Sequence, residues 1–314
     1  MNRRPDFVII GAMKCATSTL HVQLAAQPGF FMSNPKEPNF FSDDDNYARG
    51  LDWYWALFAG APEGSLCGES STHYTKLPTC PHTIERMKAA LPELKLIYVM
   101  REPISRLLSQ YIHEWTENRI RGRPDVAVRQ FPTLVDYGRY SMQMEPFFHA
   151  YGPASILPVF FERLVAQPTT ELERVCRFLG YRGPVAWQQE KTQDNVSARR
   201  LKKSPLRDLI VNQPVLASIR RRFIPQGVRD RIKSLWQMKE RPRLTVAETQ
   251  RLTRIYDEDL ARLGSWLGLD LRCDTFKEVA QATEAHWTEE TLAGGWKNWE
   301  PAGLSTGGAR RRTG

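Results

Sequence analysis

Lys14, Thr17, Ser18, Thr19, Arg101 and Ser109 are the residues of this 314-residue chain whose types and spacing could do chemistry. The first four lie in "FVIIGAMKCATST", an apolar run followed by a tight turn and the start of a helix. Such a junction is physically an anion site, because unpaired backbone N–H groups and the helix dipole point at whatever sits in the turn. The three hydroxyls add donors, and Lys14 adds a mobile point charge. The turn is not an ATPase loop. A Walker A loop sets its lysine between a second glycine and the hydroxyl residue. Here Lys14 comes three residues after Gly11 and three before Thr17, with no second glycine. A βα turn with an incidental lysine and a threonine N-cap fits the same letters equally well.

"YVMREPISRLLSQ" is a second junction of this kind. Arg101 closes an apolar run, and Pro103 suits an early helix position. Ser109 then falls about two turns into that helix. The guanidinium fork matches a phosphate, and Ser109 could donate to the same group. The plainer alternative is an arginine at a strand end and a serine on a helix surface.

Both junctions need a scaffold. Runs rich in Val, Ile, Phe and Tyr predict strands at residues 7–10, 29–32, 95–100 and 155–162. Helical patterns lie between them at 18–26, 80–91, 103–117, 141–150 and 168–179. Strands separated by helices predict an α/β fold, a P-loop-like three-layer αβα arrangement with a mostly parallel central sheet and C-terminal helices. Ligands on such sheets bind at the carboxyl ends of strands, where both junctions fall. Beyond residue 193 the chain turns basic and mainly helical. Val246, Leu252, Ile255, Leu260, Leu263 and Leu267 follow Thr245, a candidate N-cap, at helical spacing. One domain over 1–272 is expected, with 193–272 packed on the sheet. Residues 273–314, Gly- and Arg-rich at the end, are expected to form a partly disordered extension.

Composition narrows the partners. The formal charge is +9, yet residues 199–243 hold fourteen Lys/Arg against three Asp/Glu, a local net of +11. That block suits an anionic partner or simply a solvated helical surface. Five scattered cysteines with no C-x-x-C pair give neither a disulfide framework nor a zinc site. No metal is expected. No apolar run approaches the ~18 residues of a membrane span. The charged start leaves no room for a signal peptide, so a cytoplasmic location is expected.

"IIGAMKCATSTL", "NPKEPNFFS" and "IYVMREPISRLLSQYIHE", in that order, resemble the sulfotransferases that use 3′-phosphoadenosine 5′-phosphosulfate (PAPS). Within them the chain looks most like the branch of heparan sulfate sulfotransferases and bacterial relatives. Similarity continues through residues 138–181, covers 6–204 (about two-thirds of the chain) and weakens towards 271. The resemblance implies transfer of a sulfuryl group from PAPS to a hydroxyl or amine, leaving 3′-phosphoadenosine 5′-phosphate (PAP). By likeness Lys14, Cys15, Ala16, Thr17, Ser18 and Thr19 hold the 5′-phosphosulfate end, and Arg101 and Ser109 hold the 3′-phosphate. Ser197, Arg199 and Arg200 match a loop that closes over the nucleotide, although a solvated basic loop reads as well. Glu37 matches the catalytic glutamate, a general base if the pocket raises its pKa and the acceptor lies within reach. Lys14 would stabilise the leaving phosphate.

Lys36, Asn39, Ser70, His73 and Tyr74 are the implied acceptor-side residues. Asn39 stands where heparan sulfate enzymes often have histidine, and Ser70 where they have lysine. The implied acceptor is a carbohydrate, glycolipid or small molecule, with no nucleic acid expected. "GGWKNW" resembles a stretch of cytosolic sulfotransferases but lacks its upstream Arg-Lys-Gly. Two other readings stay open. One is a P-loop nucleotide kinase, which should show a Walker lysine. The other is a nucleic-acid-binding protein built on the basic block, in which no known reading motif occurs.

Overall fold

The computed structural model describes residues 3–193 and 242–298. Its main elements run β1 (Phe7–Gly11), α1 (Thr17–Ala25), β2 (Phe30–Met32), α2 (Leu51–Ala56), β3 (Leu66–Ser70), α3 (Thr83–Ala90), β4 (Lys95–Met100) and α4 (Pro103–Thr116). They continue with α5 (Tyr140–Tyr151), β5 (Ile156–Phe160), α6 (Phe161–Ala166), α7 (Pro168–Leu179), α8 (Val246–Leu267) and α9 (Phe276–Ala282). The five strands form one parallel sheet in the order β2-β3-β1-β4-β5. β1 is buried along its length because strands flank it and helices cover both faces. Gly68 pairs with Phe7 across β1 and β3, and a Cβ there would overlap the Phe7 ring.

The chain builds one side of the sheet through β3, then crosses β1 to continue with β4. That reversal opens a crevice at the carboxyl ends of β1 and β4. α4 starts there under a local cap: the Glu102 carboxylate accepts from the N–H groups of Ile104 and Ser105, each at 2.8 Å, and Pro103 takes the first helical position. Thr245 caps α8 by accepting from the Glu248 N–H, as its spacing predicts. α8 is locked to the sheet domain through Asp259, which accepts from Ser141 N (3.0 Å), Met142 N (3.1 Å) and Ser141 Oγ (2.6 Å). A carboxylate from one helix thus satisfies the orphan donors at the start of another.

Three expectations change. β3 was not predicted, because its sequence Leu-Cys-Gly-Glu-Ser buries polar residues where a strand pattern needs apolar ones. The run at 155–162 stops being a strand at Phe160, and Glu162 enters α6, where its carboxylate accepts from the Glu102 N–H at 2.9 Å. The boundary drawn at residue 273 falls inside packed structure: Phe276, Ala280, Ala285, Trp287 and Trp296 belong to the main core. Trp287 also donates from Nε1 to Ile156 O at 2.7 Å. Ser197, Arg199, Arg200 and all but the last two residues of the 199–243 block lie outside the described residues. No helix among the described residues is long and apolar enough to cross a membrane.

Candidate active site

A cavity of about 830 Å³ occupies the crevice, and the segment after every strand contributes to its wall. After β1 the loop turns on Lys14 (φ 71°) and Ala16 (φ 63°), both in the left-handed region. Non-glycine residues there cost about 1–2 kcal/mol each, so the packing around the loop must hold them. Lys14 and Ala16 line the cavity, as do Thr17, Ser18 and Thr19 of α1. Cys15 between them goes the other way. It is fully buried, its N–H is spent on Ala12 O (3.2 Å), and its Sγ lies 3.9 Å from the Tyr140 hydroxyl. Burial pushes its thiol up to about 12. Cys15 therefore brings no side chain to the site expected of it.

The N-cap of α1 is Ala16, which offers no capping side chain. Helix geometry leaves the first-turn N–H groups without intrahelical acceptors, and the residues that carry them line the cavity. Lys14 and Arg101 stand beside them. The Arg101 Nη1 donates to Lys14 O at 3.3 Å, and its guanidinium lies 4.5 Å from the centre of the Phe161 ring. The Tyr140 hydroxyl accepts from the Arg101 N–H at 3.0 Å and donates to the Arg101 carbonyl, fixing the backbone from both sides. Ser109 and, one turn on, His113 face the same cavity from α4. Burial lowers the Lys14 pKa, with Glu37 opposing and Arg101 assisting. Burial and the Lys14 charge lower that of His113.

Glu37 enters from the loop after β2 with φ 57°, its N–H bonded to Ser70 O at 2.9 Å. Its Oε1 accepts from Lys36 Nζ at 2.6 Å and from Thr72 Oγ1 at 3.2 Å. Burial pushes its pKa up, but the charge and hydrogen bond of Lys36, with smaller help from His73 and Thr72, more than offset this. The carboxylate is held below its usual range, opposite to the raised pKa that sequence reasoning required. Among the charged residues lining the cavity, Lys14, Lys36 and Arg101 face one carboxylate, Glu37.

The other acceptor-side expectations fare differently. Ser70 is fully buried, its Oγ 2.9 Å from His21 Nδ1. Tyr74 is a core residue packed on Phe41. Asn39 donates its N–H to Ser71 Oγ and lies off the cavity wall. His73 is half-buried beside the wall, with burial and Lys76 bringing its pKa down to about 4. None of the four lines the cavity, whereas Lys36 does. The aromatic run at 52–58 puts Tyr54, Trp55 and Phe58 into the core.

Residues that sequence reading missed complete the opposite wall: Phe161, Leu164, Val165, Pro168 and Trp187. Trp187 is placed by two buried glutamines, Gln23 on α1 and Gln27 just past its end. Gln27 exchanges two hydrogen bonds of 2.9 Å with the Ala186 backbone, and Gln23 exchanges two of 2.8 Å with that of Gln188. This zips residues 186–188 to the C-terminal end of α1, from where Trp187 reaches the cavity wall.

Known proteins share this fold. The solved structure of a sulfotransferase from Alicyclobacillus acidocaldarius superposes with a TM-score of 0.59, covering 86% of this chain and 98% of that one at 24% identity, and has the same fold. Heparan sulfate glucosamine 3-O-sulfotransferase 3A1 of Mus musculus is 31% identical over 185 residues, 56% of this chain and 46% of its own length. The bifunctional heparan sulfate N-deacetylase/N-sulfotransferase 2 of Homo sapiens is 26% identical over 205 residues, 57% of this chain and 22% of its own. The match thus spans less than half the length of either relative. The family described as "Sulfotransferase domain" matches residues 4–264, from ahead of β1 into α8 and across every segment of the cavity wall. By that extent of agreement, the chain belongs to the sulfotransferase family.

Proposed function

We propose that this protein transfers the sulfuryl group of PAPS to a hydroxyl or amine of a carbohydrate or small-molecule acceptor. The observation that carries the reading is the cavity itself: an uncapped helix start and three cations converge on one space that also holds a carboxylate. Anionic phosphate and sulfonate groups fit the first set, and an acceptor proton fits the second. The half-buried Trp187 and the apolar residues near it offer a nucleobase a face to stack on.

In this reading the Thr17–Thr19 N–H groups and Lys14 hold the 5′-phosphate, and Arg101 with Ser109 holds the 3′-phosphate. Glu37 takes the acceptor proton as the acceptor oxygen or nitrogen bonds to sulfur. The sulfur–oxygen bond to the phosphate breaks, and Lys14 offsets the charge left on the departing PAP. Catalysis is then positioning plus electrostatic stabilisation. Glu37, ionised at neutral pH under the influence of Lys36, is in the form that can accept a proton.

Thermal denaturation with PAP, with ADP and with ATP plus magnesium tests the donor. Stabilisation should follow mass action, with PAP shifting the transition more than ADP at equal concentration. Indifference to PAP would overturn the PAPS reading, and a preference for ATP with magnesium would favour the kinase one. Mass-resolved sulfate transfer across a panel of sugars and small hydroxylated molecules then identifies the acceptor.

A further inference from the structure

Lys36 and Glu37 are consecutive, yet both side chains line the same cavity. Neighbours in extended backbone point to opposite sides; here Glu37 takes up a left-handed backbone conformation instead, held by its N–H bond to Ser70 O. The result is an ion pair of 2.6 Å at the cavity wall, with side chains 24% and 32% exposed. Thr72 donates to the same oxygen, Glu37 Oε1, so the carboxylate keeps a partner if the lysine leaves. Lys36 has no second hydrogen bond or ion pair among the described residues. A pair in contact with solvent at the cavity wall adds only modestly to stability. An ammonium on a flexible stem beside an anion-binding cavity has another use.

We propose that Lys36 is a further catalytic residue, which leaves Glu37 when the donor enters and binds the non-bridging oxygens of the sulfuryl group. This rests on the sulfotransfer reading and adds coupling between the two substrates. Before the donor binds, Lys36 holds Glu37 as a weak base. Once the lysine faces sulfonate oxygens, burial acts on the carboxylate with less opposition and its basicity rises, while Thr72 keeps it aimed. Lys36 also draws charge towards sulfur's outer oxygens as the acceptor attacks. Lys14 cannot supply this contact while it serves the phosphate on the leaving side. Lys14 and Lys76 also feel the Glu37 charge and stay beside it when Lys36 leaves, whereas His21 and His73 are both brought down to about 4, chiefly by burial, and are not cations at neutral pH.

Calorimetric binding of PAP and of PAPS, without acceptor, separates the possibilities because the two ligands differ only in the sulfuryl group. In Lys36→Met the PAPS affinity should fall about 10–100-fold, the cost of one charged hydrogen bond, while PAP affinity stays as in the wild type. Lys36→Arg, which keeps the charge, should preserve most of the wild-type preference for PAPS. Equal weakening of both ligands, no change for either, or an arginine variant that has lost the preference overturns the assignment. A wild-type protein that binds neither ligand overturns the sulfotransfer reading itself, and this inference with it.

Discussion

Replacing Glu37 by glutamine preserves the shape of a side chain that accepts from Thr72 and removes its capacity to hold a proton. A positioned general base is worth about 10²–10⁴ in rate, so Glu37→Gln should lose turnover on that scale. Its PAP affinity, measured by calorimetry, should remain that of the wild type. In the proposed reading Lys14→Ala removes a cation that meets the developing phosphate charge, so it should lose about 10²–10³ in rate and also weaken PAP. Near-normal turnover in either variant displaces that residue from the chemistry. At this scale the sequence was most legible in where residues after a strand lie: Lys14, Thr17, Ser18, Thr19, Arg101 and Ser109 all reach one cavity. It was least legible where direction decides. Cys15 and Ser70 sit in the same segments as wall residues but point into the core, because loop dihedrals and β3 pairing, not spacing, set their facing.

Elements hold these residues at different depths, so their loss should read differently. α4 brings Ser109 to the cavity and begins two residues after Arg101, whose backbone is clamped by Tyr140. Arg101→Ala should erase the preference for PAP over ADP, weakening PAP about 10–100-fold for a lost charged hydrogen bond and ADP little. Trp187 lines the cavity, and in the proposed reading its ring meets the nucleobase. Trp187→Ala should weaken PAP and ADP alike, by roughly the 1–3 kcal/mol of one stacked base. Competition binding with the two nucleotides checks both; a reversed pattern would exchange the two assignments. Apolar runs gave four of the five strands, because a strand covered on both faces needs a continuous apolar sequence. β3 escaped since Glu69 and Ser70 are buried polar residues, satisfied or tolerated only through tertiary partners. The 186–188 segment escaped for a similar reason, since its place depends on Gln23 and Gln27, more than 150 positions earlier.

For the whole molecule, buried titratable groups make stability a function of pH with opposing signs. Glu69 is fully buried on β3, with both carboxylate oxygens unbonded among the described residues. Burial raises its pKa to about 7, while the hydroxyls of Tyr54 and Tyr74 beside it oppose the shift. An unfolded glutamate ionises near 4.3. Between that value and about 7 the unfolded chain has released this proton and the folded one has not, so stability falls as pH rises through the window. His21 and His73 act in reverse. Their folded pKa values lie near 4 against 6.5 for the free side chain, so they cost stability as pH falls through that range. The wild-type profile mixes these slopes, and a simple melt against pH would not separate them. Glu69→Gln removes one slope and leaves the others. Urea unfolding at pH 5 and pH 7.5 should show the wild type losing on the order of 2–3 kcal/mol relative to Glu69→Gln between the two conditions. A constant difference between the two proteins would mean that Glu69 is ionised in the folded core, with the tyrosine hydroxyls or water turned to receive its charge.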